Sequence, residues 1–361
     1  MIQWTETGQE RSAAWRTALG APPPARVVIA DDTTKAATAY RLACAGTGLL
    51  YRGDFQNAKQ LLRGMARRCR PAGPGADFHR HRLAQSQRAR TLGMLLIPYD
   101  AGHTIPLSRA PDVRQACLEA YGPATEPAVG QLRELLGVIG AHEWRKKGVY
   151  VPALHARIHP HHGVFSPIRG EYVDLVAAAP LPGDRLAYDV GTGTGVLAAV
   201  LARRGVRRIV ATDLDERAVA CAAENVERLG LAGRVAVMRA DLFPPGRAAL
   251  VVCNPPWLPA TPSSLIDRAV YDPVGRVLRG FIGGLADHLE PGGEGWLILS
   301  DLAERLGLRT RGELTSAFAH AGLRVVDRLD TRPRHPKADD PGDPLRAART
   351  AEVTSLWRLR R

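Results

Sequence analysis

The sequence has no run of apolar residues that approaches the roughly 18–20 needed to cross a membrane. Residues 1–6 contain neither the basic segment nor the apolar segment of a secretory signal. The five cysteines are scattered singly and form no C-x-x-C pair, which argues against a disulfide framework or a zinc site. These absences predict a cytoplasmic protein with reduced thiols.

Acidic side chains are scarce in one window of the chain. Residues 41–90 contain 11 Lys and Arg but only 2 Asp and Glu, and this window supplies most of the net charge of +13. Such a window is typical of a surface that contacts nucleic-acid phosphates or another acidic partner. A solvated helix face in an arginine-rich proteome is the alternative, and the sequence leaves both open. The arginines concerned are Arg63, Arg67, Arg68, Arg70, Arg80, Arg82, Arg88 and Arg90.

The length of 361 residues predicts two domains, since a domain usually has about 100–200 residues. Residues 1–147 are predicted to form a helical, basic substrate-recognition domain, because 33–145 are rich in helix-forming residues. Residues 148–180, rich in His, Pro and Val, are predicted to be a connector that folds over a neighbouring pocket. Residues 181–361 alternate strand and helix patterns and are predicted to form a catalytic, cofactor-binding domain.

The connector contains four histidines, His155, His159, His161 and His162. No carboxylate or cysteine accompanies them at the spacing of metal ligands, and Pro160 interrupts the run. We therefore expect no metal site in this protein and assign the histidines to the connector itself.

Repeated β-α units from Leu186 onward predict an α/β domain with a doubly wound, mostly parallel seven-stranded sheet, preceded by the helical N-terminal domain. Ligands of such sheets bind at the carboxyl ends of the strands. The predicted strands are 186–190, 208–213, 234–239, 248–253, 295–300, 323–329 and 352–359. The predicted helices are 196–204, 216–229, 276–289 and 311–320.

A glycine-rich loop follows the first of these strands. Its spacing is G-x-G-x-G, which differs from the G-x-G-x-x-G fingerprint of dinucleotide-binding proteins. Glycine lets the backbone turn tightly and approach a ligand closely at the start of a helix. By itself the loop fits a nicotinamide or an adenosyl cofactor. The residues assigned to this cofactor site are Asp189, Gly191, Thr192, Gly193 and Gly195.

Two further carboxylates follow the next strands. Asp213 ends the second strand and is suited to accept from both hydroxyls of a ribose. Asp241 comes after the third strand, where it can accept from an adenine amino group, with Leu242 or Phe243 beside the ring. An ordinary turn acid is the alternative for Asp241. Acids and glycines at successive strand ends favour an adenosyl cofactor.

The apolar strand Ala248–Cys253 delivers Asn254, Pro255, Pro256 and Trp257 to its carboxyl end. The prolines fix φ and remove backbone donors, so nearby carbonyl oxygens are free to accept from a ligand. The Asn254 amide adds a further acceptor and Trp257 adds a flat face. Together they suit an NH₂ group on a planar framework. A strand-to-loop turn stiffened by proline is the alternative.

The segment from about Phe165 to Ser300 resembles the class I S-adenosylmethionine-dependent methyltransferases, and within them the release-factor glutamine methyltransferase branch and related N-methyltransferases. That branch usually carries Tyr where this chain has Trp257. The matching motifs are the 189–195 loop, Ala211-Thr212-Asp213, Ala222-Ala223-Glu224-Asn225, Ala240-Asp241-Leu242-Phe243 and Asn254-Pro255-Pro256-Trp257.

The resemblance implies a role for each motif. The glycines of the 191–195 loop line the methionine part of S-adenosylmethionine, and Asp213 binds its ribose. Asp241 and Leu242 bind its adenine. The Asn254-Pro255-Pro256-Trp257 motif holds the target nitrogen, and Asn254 also borders the cofactor.

The expected function is an S-adenosylmethionine-dependent N-methyltransferase acting on a planar nitrogen of a macromolecule. This nitrogen is the amide of a protein glutamine or the exocyclic amine of an RNA or DNA base. The basic 41–90 window is expected to contact the substrate, and a ribosome-associated substrate is included in this expectation. The alternatives are a small-molecule N-methyltransferase and a catalytically silent methyltransferase fold that binds RNA or a partner. A nicotinamide oxidoreductase is disfavoured because its fingerprint is absent.

Overall fold

The computed structural model describes residues 1–18, 20–71, 73, 77–262, 264–334 and 343–361. The chain divides into two compact units, Met1–Glu143 and Trp144–Arg361. The segment 148–180, predicted to be a connector, therefore belongs to the second unit. No helix in the described ranges has the length and apolarity of a membrane span.

The first unit contains a six-stranded sheet, so the prediction of a helical N-terminal domain is wrong. Its strands are Ile2–Glu6 (β1), Gln9–Arg16 (β2), Arg26–Ala30 (β3), Thr47–Tyr51 (β4), Leu95–Tyr99 (β5) and Ala128–Gln131 (β6). Its helices are Ala36–Cys44 (α1), Phe55–Ala66 (α2), Phe78–Leu92 (α3), Arg114–Tyr121 (α4) and Leu132–Lys147 (α5), of which α5 continues into the second unit after Glu143. The strand order is β1-β2-β6-β5-β4-β3, with β3, β4 and β5 parallel.

The error has a physical cause in β4 and β5. All five residues of each strand are buried, because both strands lie in the middle of the sheet and are covered on both faces. A strand buried on both faces is a short continuous apolar run without alternation. Periodicity alone does not separate such a run from a buried helical turn.

The second unit begins with an antiparallel hairpin, Val149–Val151 (β7) and Ala156–Ile158 (β8), where extended backbone was predicted. The strands that follow are Leu186–Val190 (β9), Arg208–Asp213 (β10), Val235–Arg239 (β11), Ala248–Cys253 (β12), Leu289–Ser300 (β13), Arg324–Thr331 (β14) and Thr354–Arg360 (β15). The helices are Glu171–Ala178 (α6), Val196–Arg203 (α7), Glu216–Arg228 (α8), Arg276–His288 (α9), Leu302–Arg305 (α10), Arg311–His320 (α11) and Arg346–Thr350 (α12).

The predicted seven-stranded sheet is confirmed. Its order is β11-β10-β9-β12-β13-β15-β14, and only β15 runs antiparallel to its neighbours. The chain moves from β9 to one edge and then returns to β12 on the other side. The order therefore reverses between β9 and β12, which is where doubly wound sheets bind ligands.

Both faces of this sheet are buried. Leu250 and Val252 of β12 pack into the apolar cluster that contains α7, while Val251 and Cys253 pack into the cluster on the opposite face with Phe281 of α9. Burial of each such side chain contributes about 1.5–3 kcal/mol. Polar groups of β12 therefore have no place except at the ends of the strand.

Two neighbouring glycines of α9 give a matched test of this packing. A Cβ added at Gly284 would lie 2.6 Å from the Phe243 ring, whereas one added at Gly283 meets nothing within 4 Å. We expect Gly283→Ala to stabilise the protein by about 0.5–1 kcal/mol through helix propensity. We expect Gly284→Ala to cost about 1–3 kcal/mol through overpacking. Urea unfolding measures both, and equal effects of the two changes would contradict this account.

Candidate active site at the strand ends

The glycine loop connects β9 to α7 and adopts backbone that only glycine takes up readily. Gly191, Gly193 and Gly195 all have positive φ, at 70°, 55° and 79°. Open space surrounds the positions that a Cβ would occupy at Gly191 and Gly193. At Gly195 a Cβ would lie 3.2 Å from the backbone of Ala222, so this glycine permits close packing of the loop on α8. The first two glycines therefore present bare backbone to the space beyond the strand ends.

Asp189 was assigned to the cofactor site from the sequence. In the structure it lies beneath the glycine loop. Its carboxylate is 1% exposed and accepts from the Thr192 hydroxyl at 2.6 Å and from the Ala198 amide at 3.0 Å. Thr192 is itself buried. The pair fixes the shape of the loop and the first turn of α7 from within. Burial raises the pKa of the Asp189 carboxyl to about 6.

Asp213, at the end of β10, is half-buried and faces the glycine loop. Its two oxygens accept from the amides of Gly193 and Asp215, each at 3.0 Å. Burial raises the pKa of this carboxyl. The structure thus brings together the predicted loop and the predicted ribose-binding acid, and the acid helps to hold the loop in place.

Asp241 and Leu242 follow β11. Asp241 is exposed and forms an ion pair with Arg276 at 2.8 Å. Leu242 has a φ of 68°, and the Thr212 hydroxyl donates to its carbonyl at 2.5 Å. Its side chain occupies the space that a Cβ at Gly280 would fill. A hydrogen bond from β10 thus holds this turn beside the sheet edge that carries Asp213.

Asn254 and Trp257 contact each other in the loop after β12. The Trp257 indole N–H donates to the Asn254 side-chain oxygen at 2.9 Å. Both residues are half-buried, and Pro255 between them is buried. An amide oxygen has two acceptor sites, so Asn254 keeps one for a ligand while Trp257 occupies the other. The hydrogen bond thus fixes the Asn254 oxygen beside the Trp257 ring and leaves it able to accept a second hydrogen bond.

Arg169 was not predicted as a site residue, yet its guanidinium lies over the Trp257 ring, 5.4 Å from the ring centroid. It forms ion pairs with Glu171 at 2.9 Å and Glu352 at 3.1 Å, and both carboxylates are almost completely buried. Glu352 also accepts from the Ser300 hydroxyl at 2.7 Å. An arginine followed by an acid, just before a helix, was the only signal in the sequence.

Asn225 of α8 is a second residue that the prediction missed as part of the site. It is 1% exposed, and its amide nitrogen donates to the Thr194 carbonyl at 3.1 Å. Its oxygen accepts from the His159 amide at 2.7 Å, and the neighbouring Glu224 pairs with His161 at 2.7 Å. Asn225 therefore joins the glycine loop to the segment after β8. The sequence signal for Asn225 was its position in the Ala222-Ala223-Glu224-Asn225 motif of this helix.

These residues suit the predicted adenosyl cofactor. Bare backbone at Gly191 and Gly193 accepts a close ligand, and Asp213 is the acceptor that ribose hydroxyls require. Asp241 and the turn at Leu242 border the same sheet edge, one strand further out. Asn254 lies on the other side of the β9–β12 reversal. A nucleoside bound at these strand ends would lie next to Asn254, an acceptor for a second ligand.

In the first unit, seven of the predicted surface arginines are exposed. They are Arg63, Arg67, Arg68, Arg70, Arg80, Arg88 and Arg90, and we refer to them as the α2–α3 basic surface. Arg82 is half-buried and does not belong to this surface.

The second unit is similar in sequence to known proteins. Residues 155–308 match the family described as the methyltransferase small domain. A ribosomal protein L11 methyltransferase from Pelotomaculum thermopropionicum is 39% identical over 39% of this chain and 39% of its own length. A release factor glutamine methyltransferase from Cereibacter sphaeroides is 33% identical over 46% of this chain and 63% of its own length.

A tRNA1(Val) (adenine(37)-N6)-methyltransferase from Bacteroides thetaiotaomicron is 29% identical over 44% of this chain and 70% of its own length. The chain spans less than two thirds of the length of the L11 and release-factor enzymes. The similarity thus concerns the segment that contains the strand-end site, and the family segment lies wholly within the second unit.

The buried Asp189 gives a prediction for pH dependence. Because its folded-state pKa of about 6 exceeds the ordinary value of 3.8, the folded protein holds this proton more tightly than the unfolded chain does. Stability from this group is therefore present at low pH and is lost as the pH rises through 6. Between pH 4 and pH 7, the free energy of unfolding of the wild type should fall by up to about 3 kcal/mol relative to Asp189→Asn.

Chemical denaturation at each pH measures this difference. The matched control is Asp184→Asn, which removes an exposed acid of the same unit and should leave the pH dependence unchanged. A wild type and an Asp189→Asn variant with parallel pH profiles would rule out a raised pKa.

Proposed function

We propose that this protein, whose segment 155–308 belongs to the methyltransferase small-domain family, transfers a methyl group from S-adenosylmethionine to a planar nitrogen. The observation that supports this proposal is the loop after β12. There a hydrogen-bond acceptor, Asn254, is held by an aromatic ring, Trp257, one strand away from the glycine loop. The related proteins named above methylate a ribosomal protein, a release-factor glutamine and a tRNA adenine.

The bound cofactor supplies an activated methyl group on sulfur. The residues that would hold it are Gly191, Gly193 and Gly195 at the methionine part, Asp213 at the ribose, and Asp241 with Leu242 at the adenine. Asp189 and Thr192 act from beneath by fixing the loop.

The work of the protein at the target nitrogen is to orient it. An amide or aromatic amine delocalises its lone pair, so the nitrogen must be turned and pyramidalised before it attacks. Asn254 and the Pro255 carbonyl would accept its two N–H bonds and share the positive charge that grows on it. Pro255 and Pro256 keep the backbone rigid, and Trp257 stacks on the planar group and excludes water.

The substrate is proposed to be a macromolecule, because the chain carries an additional 143-residue unit with a strongly basic window at 41–90. This window would contact the substrate through its acidic groups. A protein glutamine and a nucleic-acid base remain the two substrates to be separated by experiment.

Replacement of Asn254 tests the proposal. We expect Asn254→Ala to bind S-adenosylmethionine almost as well as the wild type in calorimetry, because the cofactor residues are unchanged. Turnover should fall by about 100-fold or more, the usual loss when one transition-state hydrogen-bond partner is removed. The assay follows the labelled methyl group from S-adenosylmethionine into cell extract, which is then digested with RNase or protease to identify the polymer.

Asn225→Ala provides a contrast, since this change loosens the glycine loop and should weaken cofactor binding instead. The proposed mechanism is excluded if Asn254→Ala retains full activity. The proposed cofactor is excluded if the wild type does not bind S-adenosylmethionine.

A further inference from the structure

In the α2–α3 basic surface, helix α3 is more exposed than is usual for a helix of a globular domain. Helix α3 has 15 residues and no acidic side chain, and only Phe78, Thr91 and Leu92, at its two ends, are buried. A helix that packs on a core normally buries a full stripe along its length. Between these ends α3 buries no residue fully: most side chains are exposed, and only His81, Arg82, Ala84 and Ala89 are half-buried.

The arginines of this surface are not neutralised by neighbours. Among the described residues, no carboxylate pairs with any of the seven guanidinium groups. Arg68 and Arg88 instead donate to the carbonyls of Gly64 and Ala66, and the Arg88 contact joins α3 to the end of α2. The two helices thus form one connected positive surface. Exposed like charges repel each other, and such a surface is retained where an anion compensates it.

We infer that the α2–α3 basic surface binds RNA through its phosphates. This inference rests on the proposed function and names its substrate class. Repeated arginines without interleaved acids match the regular spacing of phosphates along a strand, and arginine forks bind phosphate oxygens in pairs. A protein partner would have to supply a similarly dense row of carboxylates.

RNA is favoured over duplex DNA by the position of the target nitrogen. An exocyclic amine reaches a pocket at the end of a strand only when its base is out of the helical stack. RNA loops present unstacked bases, whereas duplex DNA has to be opened at an energetic cost.

The test measures binding of the full chain to fluorescently labelled total tRNA by anisotropy, between about 50 and 200 mM salt. The variant is Arg63→Gln/Arg80→Gln/Arg90→Gln, because these three side chains are exposed and form no hydrogen bond or ion pair with another described residue, and glutamine keeps the helix propensity. We expect its affinity to fall about tenfold or more, and the slope of log affinity against log salt to shrink by about 2–3.

The matched control removes three exposed arginines at the amino ends of the parallel strands of the second unit, Arg185→Gln/Arg207→Gln/Arg324→Gln. It changes the net charge equally and should leave RNA binding within about twofold, because it lies at the edge opposite the strand-end site. An equal loss of RNA affinity in both triple variants would show that only the net charge matters, and this would overturn the inference. Tighter binding to a DNA hairpin or to polyglutamate than to tRNA would also overturn it.

Calorimetry with S-adenosylmethionine separates this outcome from failure of the proposed function. A wild type that binds the cofactor and methylates protein, but does not bind RNA, would refute only the RNA inference.

A second, independent observation concerns Arg169. Its guanidinium covers one face of Trp257 and is held by two buried carboxylates, Glu171 and Glu352. These carboxylates belong to the start of α6 and to the approach to β15. The contacts form a chain from buried acids to Arg169, from Arg169 to Trp257, and from Trp257 to the oxygen of Asn254.

The geometry assigns Arg169 as the positioning residue of the target-nitrogen clamp. Because the guanidinium occupies one face of the Trp257 ring, a planar target stacks on the opposite face. Because the ring is fixed, its N–H holds the Asn254 oxygen in one orientation, and the remaining acceptor site of that oxygen faces the target. Arg169 acts through Trp257 and does not itself contact the target, so this assignment also rests on the proposed function.

Arg169→Lys tests the assignment, because lysine keeps the charge but loses the planar fork that reaches both carboxylates. We expect kcat to fall about tenfold with little change in the KM for S-adenosylmethionine. The matched control is Arg311→Lys. Arg311 also lies over a tryptophan, 5.1 Å from the Trp357 ring centroid, and pairs with Glu304, but it lies outside the site. This control should keep the wild-type kcat.

A double-mutant cycle shows whether Arg169 acts through the ring. In the Trp257→Leu background, Arg169→Lys should cause no further loss of kcat. Full additivity of the two changes would overturn the assignment, as would an equal loss in the Arg311→Lys control.

Fluorescence keeps the assignment testable if Trp257→Leu turns over too slowly to measure. The emission of Trp257, obtained as the difference between spectra with and without this residue, should change in Arg169→Lys and stay unchanged in Arg311→Lys. An unchanged Trp257 emission in Arg169→Lys would refute the contact on which the assignment depends.

Discussion

Burial of both faces of the seven-stranded sheet is the constraint on which the site depends. Since α7 covers one face and α9 the other, alternate residues from Leu250 to Cys253 enter two apolar clusters, and all four are buried. Polar chemistry is thereby confined to the strand ends. Because all strands of this sheet except β15 run in the same direction, the ends that carry Asp213 and Asn254 lie at one edge.

The second layer of the site consists of buried polar groups that do not face a ligand. Asp189, Asn225 and Glu352 are each about 1% exposed. Asp189 and Asn225 form hydrogen bonds with the glycine loop, and Glu352 accepts from Ser300 at the end of β13. Buried polar groups are costly unless they are paired, so these residues fix the loops in one arrangement. The glycine loop is held by Asp189 from β9, by Asp213 from β10 and by Asn225 from α8. Loss of Asp189 or Asn225 leaves a buried residue of the loop or of α7 without its hydrogen bond.

The sequence predicted the second unit closely because its pattern is regular. The strands Leu186–Val190, Arg208–Asp213 and Ala248–Cys253 have the predicted bounds, since each apolar run ends at a glycine, an acid or an amide that marks the strand end. The strand-end residues Asp213 and Asn254 followed directly from those bounds. Their partners did not, because a hydrogen bond from Trp257 to Asn254 depends on side-chain orientation and not on spacing.

The first unit was mispredicted because its central strands have no polar face. Thr47–Tyr51 and Leu95–Tyr99 are buried throughout, and the flanking helices are rich in alanine and leucine, so the whole region reads as helix. Arg169 and Glu352 escaped prediction for another reason. They are 183 residues apart in the chain, and their ion pair exists only because the start of α6 meets the approach to β15.

The two units differ in how their charged side chains are arranged. The second unit encloses its ionisable groups in specific pairs, such as Arg358 with the fully buried Glu294, and such pairs give shape but little long-range field. Among the described residues, the seven arginines of the α2–α3 basic surface have no carboxylate partner, so the first unit projects a field that attracts anions over about a Debye length. A planar nitrogen is recognised only at short range, by hydrogen bonds and stacking. Under the proposed function, recognition of the substrate would therefore rest on long-range attraction by one unit, and methyl transfer on short-range contacts within the other.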